Sequence, residues 1–193
     1  MAILIAGLII FLGAHSVRIV ANDWRNAQWT RLGEARWKGL YSIVSLVGLV
    51  LIVVGFGAAR AGSAQLWLPP PWLRHVALLL VAVAFVLVTA AYVPRNGIKA
   101  AVGHPMVLGV KTWAFAHLLA NGRVVDVVLF GAFLAWAIAD FASSRRRDRA
   151  SGTTYPAGRT GATVATVVVG VLLWGIFGEF IHRAWFGVQP FGA

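Results

Sequence analysis

The stretch from Gly103 to Gly122 is apolar enough to lie at membrane depth, yet it carries His104, Lys111, Trp113, His117 and Asn121. Ionisable groups in hydrocarbon cost about 3 kcal/mol each on insertion scales, so a chain that keeps them there has a use for them. Trp113 lies four residues before His117 and Asn121 four after it, which puts all three on one helix face. Lys111 lies nearly opposite that face and is placed to snorkel. His104 precedes Pro105, a residue favoured in the first helical turn because its missing N–H would be unsatisfied there anyway. His104 therefore reads either as an entry residue near the headgroups or as a group meeting an anion at a positive helix end.

Other ionisable groups sit in or beside apolar stretches. His15 is followed by Ser16 and Arg18. A neutral imidazole there either hides with a hydrogen bond to a carbonyl or serves as a ligand. Arg18 reaches for the headgroups. Glu179 and His182, three residues apart, read as an edge ion pair with Arg183 or Arg123, or as a carboxylate orienting a ligating histidine. His75 beside Arg74 is interfacial, Asp140 suits an ion pair with the nearby arginines, and Asp126 complements a helix N-terminus.

The chain has no cysteine, which excludes disulfides, thiolate metal sites and a thiol nucleophile. Histidine remains as the natural iron ligand. Two neutral imidazoles from facing helices suit haem b, which needs an apolar slot. Zinc would want three or four ligands. Metalloprotease, serine-hydrolase and phosphate-loop patterns are absent, and no residue is assignable as catalytic.

The elements that must hold these residues follow from composition. Of 193 residues 60% are hydrophobic and 12% charged, with a mean hydropathy of +0.80. The pattern predicts an all-α fold: a polytopic transmembrane helix bundle forming one domain over 1–193. About six segments approach the ~20 residues that cross ~30 Å of hydrocarbon. They are 2–21, 39–59, 72–93, 104–120, 124–142 and 161–185, the fourth being short and least apolar. The first lacks a basic leader and a cleavage site, so it reads as a span rather than a signal peptide. Between them run a charged loop, Asn22–Lys38, whose Trp24, Trp29 and Trp37 form an interfacial belt; a stiff Leu68–Trp72 turn; a Pro94–Gly97 turn; and the longest loop, Ser143–Arg159, with Arg145, Arg146, Arg147 and Arg149.

Most basic residues fall in the first, third and fifth connections; the others hold only Arg60, Arg74, Arg123 and Arg183. The positive-inside rule then puts both termini on the periplasmic side. The net charge of +11 reads as membrane-surface charge and not as a nucleic-acid face, since no basic surface with interleaved aromatics lies outside the spans. In this frame depth pairs His15 with His104, or His117 with His182.

The block His104–Met106, Trp113 and Ala116–Gly122, with Leu129–Gly131 and the His15-Ser16-x-Arg18 pattern, resembles the NnrU family over nearly the whole chain. The resemblance implies a multi-pass protein of the bacterial inner membrane, associated with nitrite and nitric oxide metabolism (denitrification). That family is similar in turn to the ζ-carotene isomerase of plants and cyanobacteria, which uses haem b to isomerise a cis double bond. Carried over by motif, the resemblance implies haem b with its iron on His15 and His117, and a cofactor site that includes His104, Trp113 and Asn121. A haem-dependent cis–trans isomerase acting on a hydrophobic polyene is the alternative it implies; a haem-free transport or assembly factor is the alternative the residues allow. The partner expected in every case is membrane lipid. Two positions depart from the pattern. Ala114 stands where the isomerase has a cysteine implicated in ligand exchange, and Gly103 where relatives often show an arginine, whose anion-pairing role is then missing or supplied by Arg95.

Overall fold

The computed structural model describes residues 1–191, which are helical throughout except for turns and one isolated β-bridge. In chain order the helices are α1 (Ala2–Val20), α2 (Asn22–Leu32), α3 (Glu34–Arg60), α4 (Trp72–Tyr92), α5 (Gly97–Val102), α6 (Pro105–Ala120), α7 (Val124–Ser151), α8 (Thr160–Ile176), a π-helical turn (Phe177–Ile181) and α9 (His182–Phe186). Five stretches are long and apolar enough to cross a membrane: α1, α3, α4, α7 and the run Thr160–Phe186. At 16 residues, α6 rises ~24 Å, short of a full hydrocarbon layer. Isoleucine, valine and leucine lie exposed along α1, α3, α4 and α8, as expected where lipid replaces water as solvent. The chain is an all-α membrane helix bundle.

The structure divides into two compact units. The first joins Met1–Leu68 to Asn121–Ser143; the second joins Pro69–Ala120 to the residues from Ser144 onward.

In the first unit α1 lies against α3 backbone to backbone. A Cβ on Gly7 would come within 2.6 Å of the Ile52 amide nitrogen, and one on Gly48 within 2.8 Å of the Phe11 nitrogen. One on Gly55 would overlap the Leu4 backbone. Without a hydrophobic drive between helices in lipid, this close approach of small residues supplies the attraction. The start of α7 is tied to the segment after α3: Val124 N donates to Ala64 O at 3.0 Å, and Leu66 N to Gly122 O at 2.8 Å. The Arg123 guanidinium donates to Arg60 O at 3.0 Å.

In the second unit α4 is the hub. Gly109 lets α6 sit against Ala84 and Val88, and Gly170 lets α8 meet the Val86 backbone. Between α4 and α6 the chain turns through Arg95, at φ 54°. The buried side chain of Asn96 caps α5, accepting from Lys99 N at 2.8 Å and donating to Ala90 O at 2.8 Å and Val93 O at 2.6 Å.

Two connections expected as loops are helical. Residues 22–32 form α2, set off from α1 at Ala21 and from α3 at Gly33, whose φ is 78°. Its polarity does not prevent helicity, because Asp23 sits favourably in the first turn and Arg25 stacks 4.6 Å over the Trp29 ring. Likewise α7 runs nine residues past its expected apolar end, to Ser151. Arg147 donates to Ser144 Oγ at 2.6 Å, Ser151 Oγ to Arg147 O at 2.9 Å, and the helix stops at Gly152, with φ 63°.

Candidate functional site

His15 lies near the end of α1, in the first unit. Its Nδ1 is 2.7 Å from Phe11 O. A carbonyl only accepts, so Nδ1 carries the proton, and in the neutral ring the lone pair is on Nε2. The imidazole stacks on Phe11 with centroids 4.2 Å apart. It meets Tyr41 at 5.2 Å and the edge of Trp136 at 6.0 Å.

His117 lies near the end of α6, in the second unit, and repeats the same local device. Its Nδ1–H donates to Trp113 O at 2.9 Å, again one helical turn back, and its ring lies 5.1 Å from that of Trp113. The face expected to hold Trp113, His117 and Asn121 is shorter than the spacing implies. Helix α6 ends at Ala120, so Asn121 falls outside it and belongs with the first unit. Gly122 ends the helical run here, its carbonyl accepting from Leu66 and Trp67 instead.

His104 is engaged differently. Its Nε2 is 2.8 Å from Asp148 Oδ2, and the Tyr155 hydroxyl donates to the same oxygen at 2.8 Å while lying 3.2 Å from His104 Nε2. Arg145 Nη1 approaches that oxygen at 3.7 Å. Burial, and then the Asp148 carboxylate, push the Tyr155 phenol above its ordinary range, which keeps it a donor. This cluster ties the first residue before α6 to the charged end of α7. It engages His104 at the nitrogen that faces Asp148. Gly103 explains itself here: its φ is 74°, and a Cβ would lie 2.8 Å from Tyr155 Cε2. The guanidinium in the cluster belongs to Arg145, whereas Arg95 presents its carbonyl to Arg159 N at 2.7 Å. Asp148 and Tyr155 were not singled out by sequence. The one available signal was a lone acid within an arginine run.

His182 follows the π-helical turn in the second unit. Its Nδ1–H donates to Val188 O at 2.8 Å. That carbonyl, and not Glu179, orients the ring; Glu179 accepts from Gln189 Nε2 at 3.1 Å. The inserted residue of a π-turn breaks the i,i+3 register assumed for the pair. Among the described residues no group of three histidine or acidic side chains is placed to hold a metal ion.

No curated protein and no solved structure matches the chain. The family model described as NnrU protein matches residues 3–190, nearly its full length, and the chain therefore belongs to the NnrU family.

Proposed function

We propose that this NnrU-family membrane protein binds haem b, with His15 and His117 as the residues that would hold its iron, and works in nitrite and nitric oxide metabolism at the bacterial inner membrane. The observation that carries the reading is the matched anchoring of the two rings. Each gives Nδ1–H to the carbonyl four residues back, at 2.7 and 2.9 Å. A ligating histidine needs this state, because the second-shell hydrogen bond fixes tautomer and ring orientation and raises the basicity of Nε2. The residues present fit the group in kind: neutral imidazoles and aromatic neighbours, with no thiolate in the chain. Haem, when bound, supplies an iron able to exchange an electron or polarise a conjugated molecule. The chain supplies orientation, through the Phe11 and Trp113 carbonyls, and a low-dielectric surround. Polyene isomerisation would draw on the same ligands, and Ala114, fully buried on α6, leaves no thiol to exchange with them. The nitrogen-oxide role rests on the family resemblance.

The test is a haem assay on the detergent-purified chain expressed with haem precursor. Wild type should carry near-stoichiometric haem b with a low-spin reduced spectrum. His15→Ala and His117→Ala should each lose or shift it, while His75→Ala, at an exposed position, should not. A well-folded wild type without haem overturns the reading. Loss in His117→Ala and His182→Ala, with His15→Ala unaffected, reassigns the ligands to the second unit.

A further inference from the structure

Two polar atoms of the first unit are buried without a hydrogen-bond partner among the described residues: Trp136 Nε1 and Ser45 Oγ. Both belong to the surroundings of His15. The Trp136 ring meets that imidazole edge-on, at 90° and 6.0 Å. Ser45 lies one turn along α3 from Tyr41, whose ring meets the imidazole at 5.2 Å. A buried polar group left unmatched calls for a specific explanation, most of all in hydrocarbon. An indole N–H can only donate, so what matches it must be an acceptor. Phenylalanine would fill the same space without that demand. The walls are aromatic: Phe11 stacks on His15, and Phe133 lies 5.8 Å from Phe11. Aromatic walls with a few placed polar groups are the make-up of a small-molecule site.

We propose that Trp136 Nε1–H and the Ser45 hydroxyl donate hydrogen bonds to an oxygen acceptor on a flat, conjugated, lipid-soluble ligand seated beside His15. Two sources carry that chemistry: a carboxylate side chain of haem, an arm that rests on the reading above, and the carbonyl of a membrane quinone, which does not need iron.

The experiment compares the full-length wild type, Trp136→Phe and Ser45→Ala in detergent, with folding checked by circular dichroism. Haem binding is followed by absorbance and decylubiquinone binding by equilibrium dialysis. Each substitution deletes one donor and keeps the bulk around it. If haem carboxylate is the acceptor, each variant binds haem about tenfold more weakly, and haem dimethyl ester no longer distinguishes the variants from wild type. If the quinone carbonyl is the acceptor, the same loss falls on decylubiquinone. Unchanged affinity for both ligands in both variants overturns the proposal and assigns the two atoms to buried water. Haem lost in His15→Ala but indifferent to Trp136→Phe and Ser45→Ala overturns this proposal while the haem reading stands. Quinone binding that depends on Trp136 in a wild type that takes no haem does the reverse. A wild type that binds neither ligand overturns both.

Discussion

His15, His117 and His182 each give Nδ1–H to a main-chain carbonyl, at 2.7, 2.9 and 2.8 Å. His104 instead presents Nε2 to a carboxylate. That single difference sorts the histidines: three carry the proton on Nδ1, and one meets a carboxylate through Nε2. The same scale governs Gly103. Its left-handed backbone disfavours any side chain, and the Tyr155 ring occupies the space a Cβ would need. Gly103→Ala should therefore destabilise the protein by about 1–3 kcal/mol through strain and displacement of Tyr155, and loosen the His104–Asp148–Tyr155 cluster. A thermal melt in detergent reads the first effect; faster hydrogen exchange at the start of α6 reads the second. An unchanged melting temperature would show that Tyr155 gives way at no cost.

At the scale of the element, the α1–α3 contact has a built-in control. Gly55 has no room for a Cβ, because the Leu4 backbone is there, whereas Gly57, two residues on in the same helix, has nothing within 4 Å. Gly55→Ala should force α1 and α3 apart and lower stability by about 1–3 kcal/mol. Gly57→Ala should be neutral or stabilising by up to about 1 kcal/mol, since alanine is the better helix former. Opposite signs in denaturant-induced unfolding would mark the crossing as the contact that matters, and equal effects would remove it. The glycines themselves were legible in the sequence as small residues inside spans. Which of them lie at the crossing was not, because that depends on partners some 40 to 50 residues away. The same holds for the site. The Trp113–His117 relation is local, four residues on one helix, and could be read directly. The partners of His104 are 44 and 51 residues distant, and no periodicity announces them. Helix α2 escaped for another reason: at a membrane surface a helix can be polar all round, its rings and charges pairing with each other, as Arg25 does with Trp29.

For the whole molecule, the first unit fixes the parity of the chain's crossings. The end of α3 and the start of α7 are hydrogen-bonded to one another through Ala64 and Val124, so they share a side of the membrane. The chain leaves that side by α4 and returns to it by α6, which makes α6 a crossing element in spite of its 16 residues. Helix α7 then carries the chain back, which predicts Ala61 and Ala157 on opposite sides. The charges set the direction. Arg145, Arg146, Arg147, Arg149 and Arg159 flank Ala157 in the chain, and the expected parity puts Arg25, Arg31, Arg36 and Lys38 with them. The positive-inside rule predicts the cytoplasm on that side. The exposed rings of Trp24, Trp67, Trp72 and Trp185 suit interfacial belts. Because the native chain contains no cysteine, single substitutions report without background. In spheroplasts treated with a membrane-impermeant maleimide, Ala61→Cys should label at once, and Ala157→Cys only after the membrane is opened. The reversed pattern would overturn the orientation and leave the parity intact. Labelling of both from outside would mean that α6 turns back within the membrane, and the His117 face would then have to be placed anew.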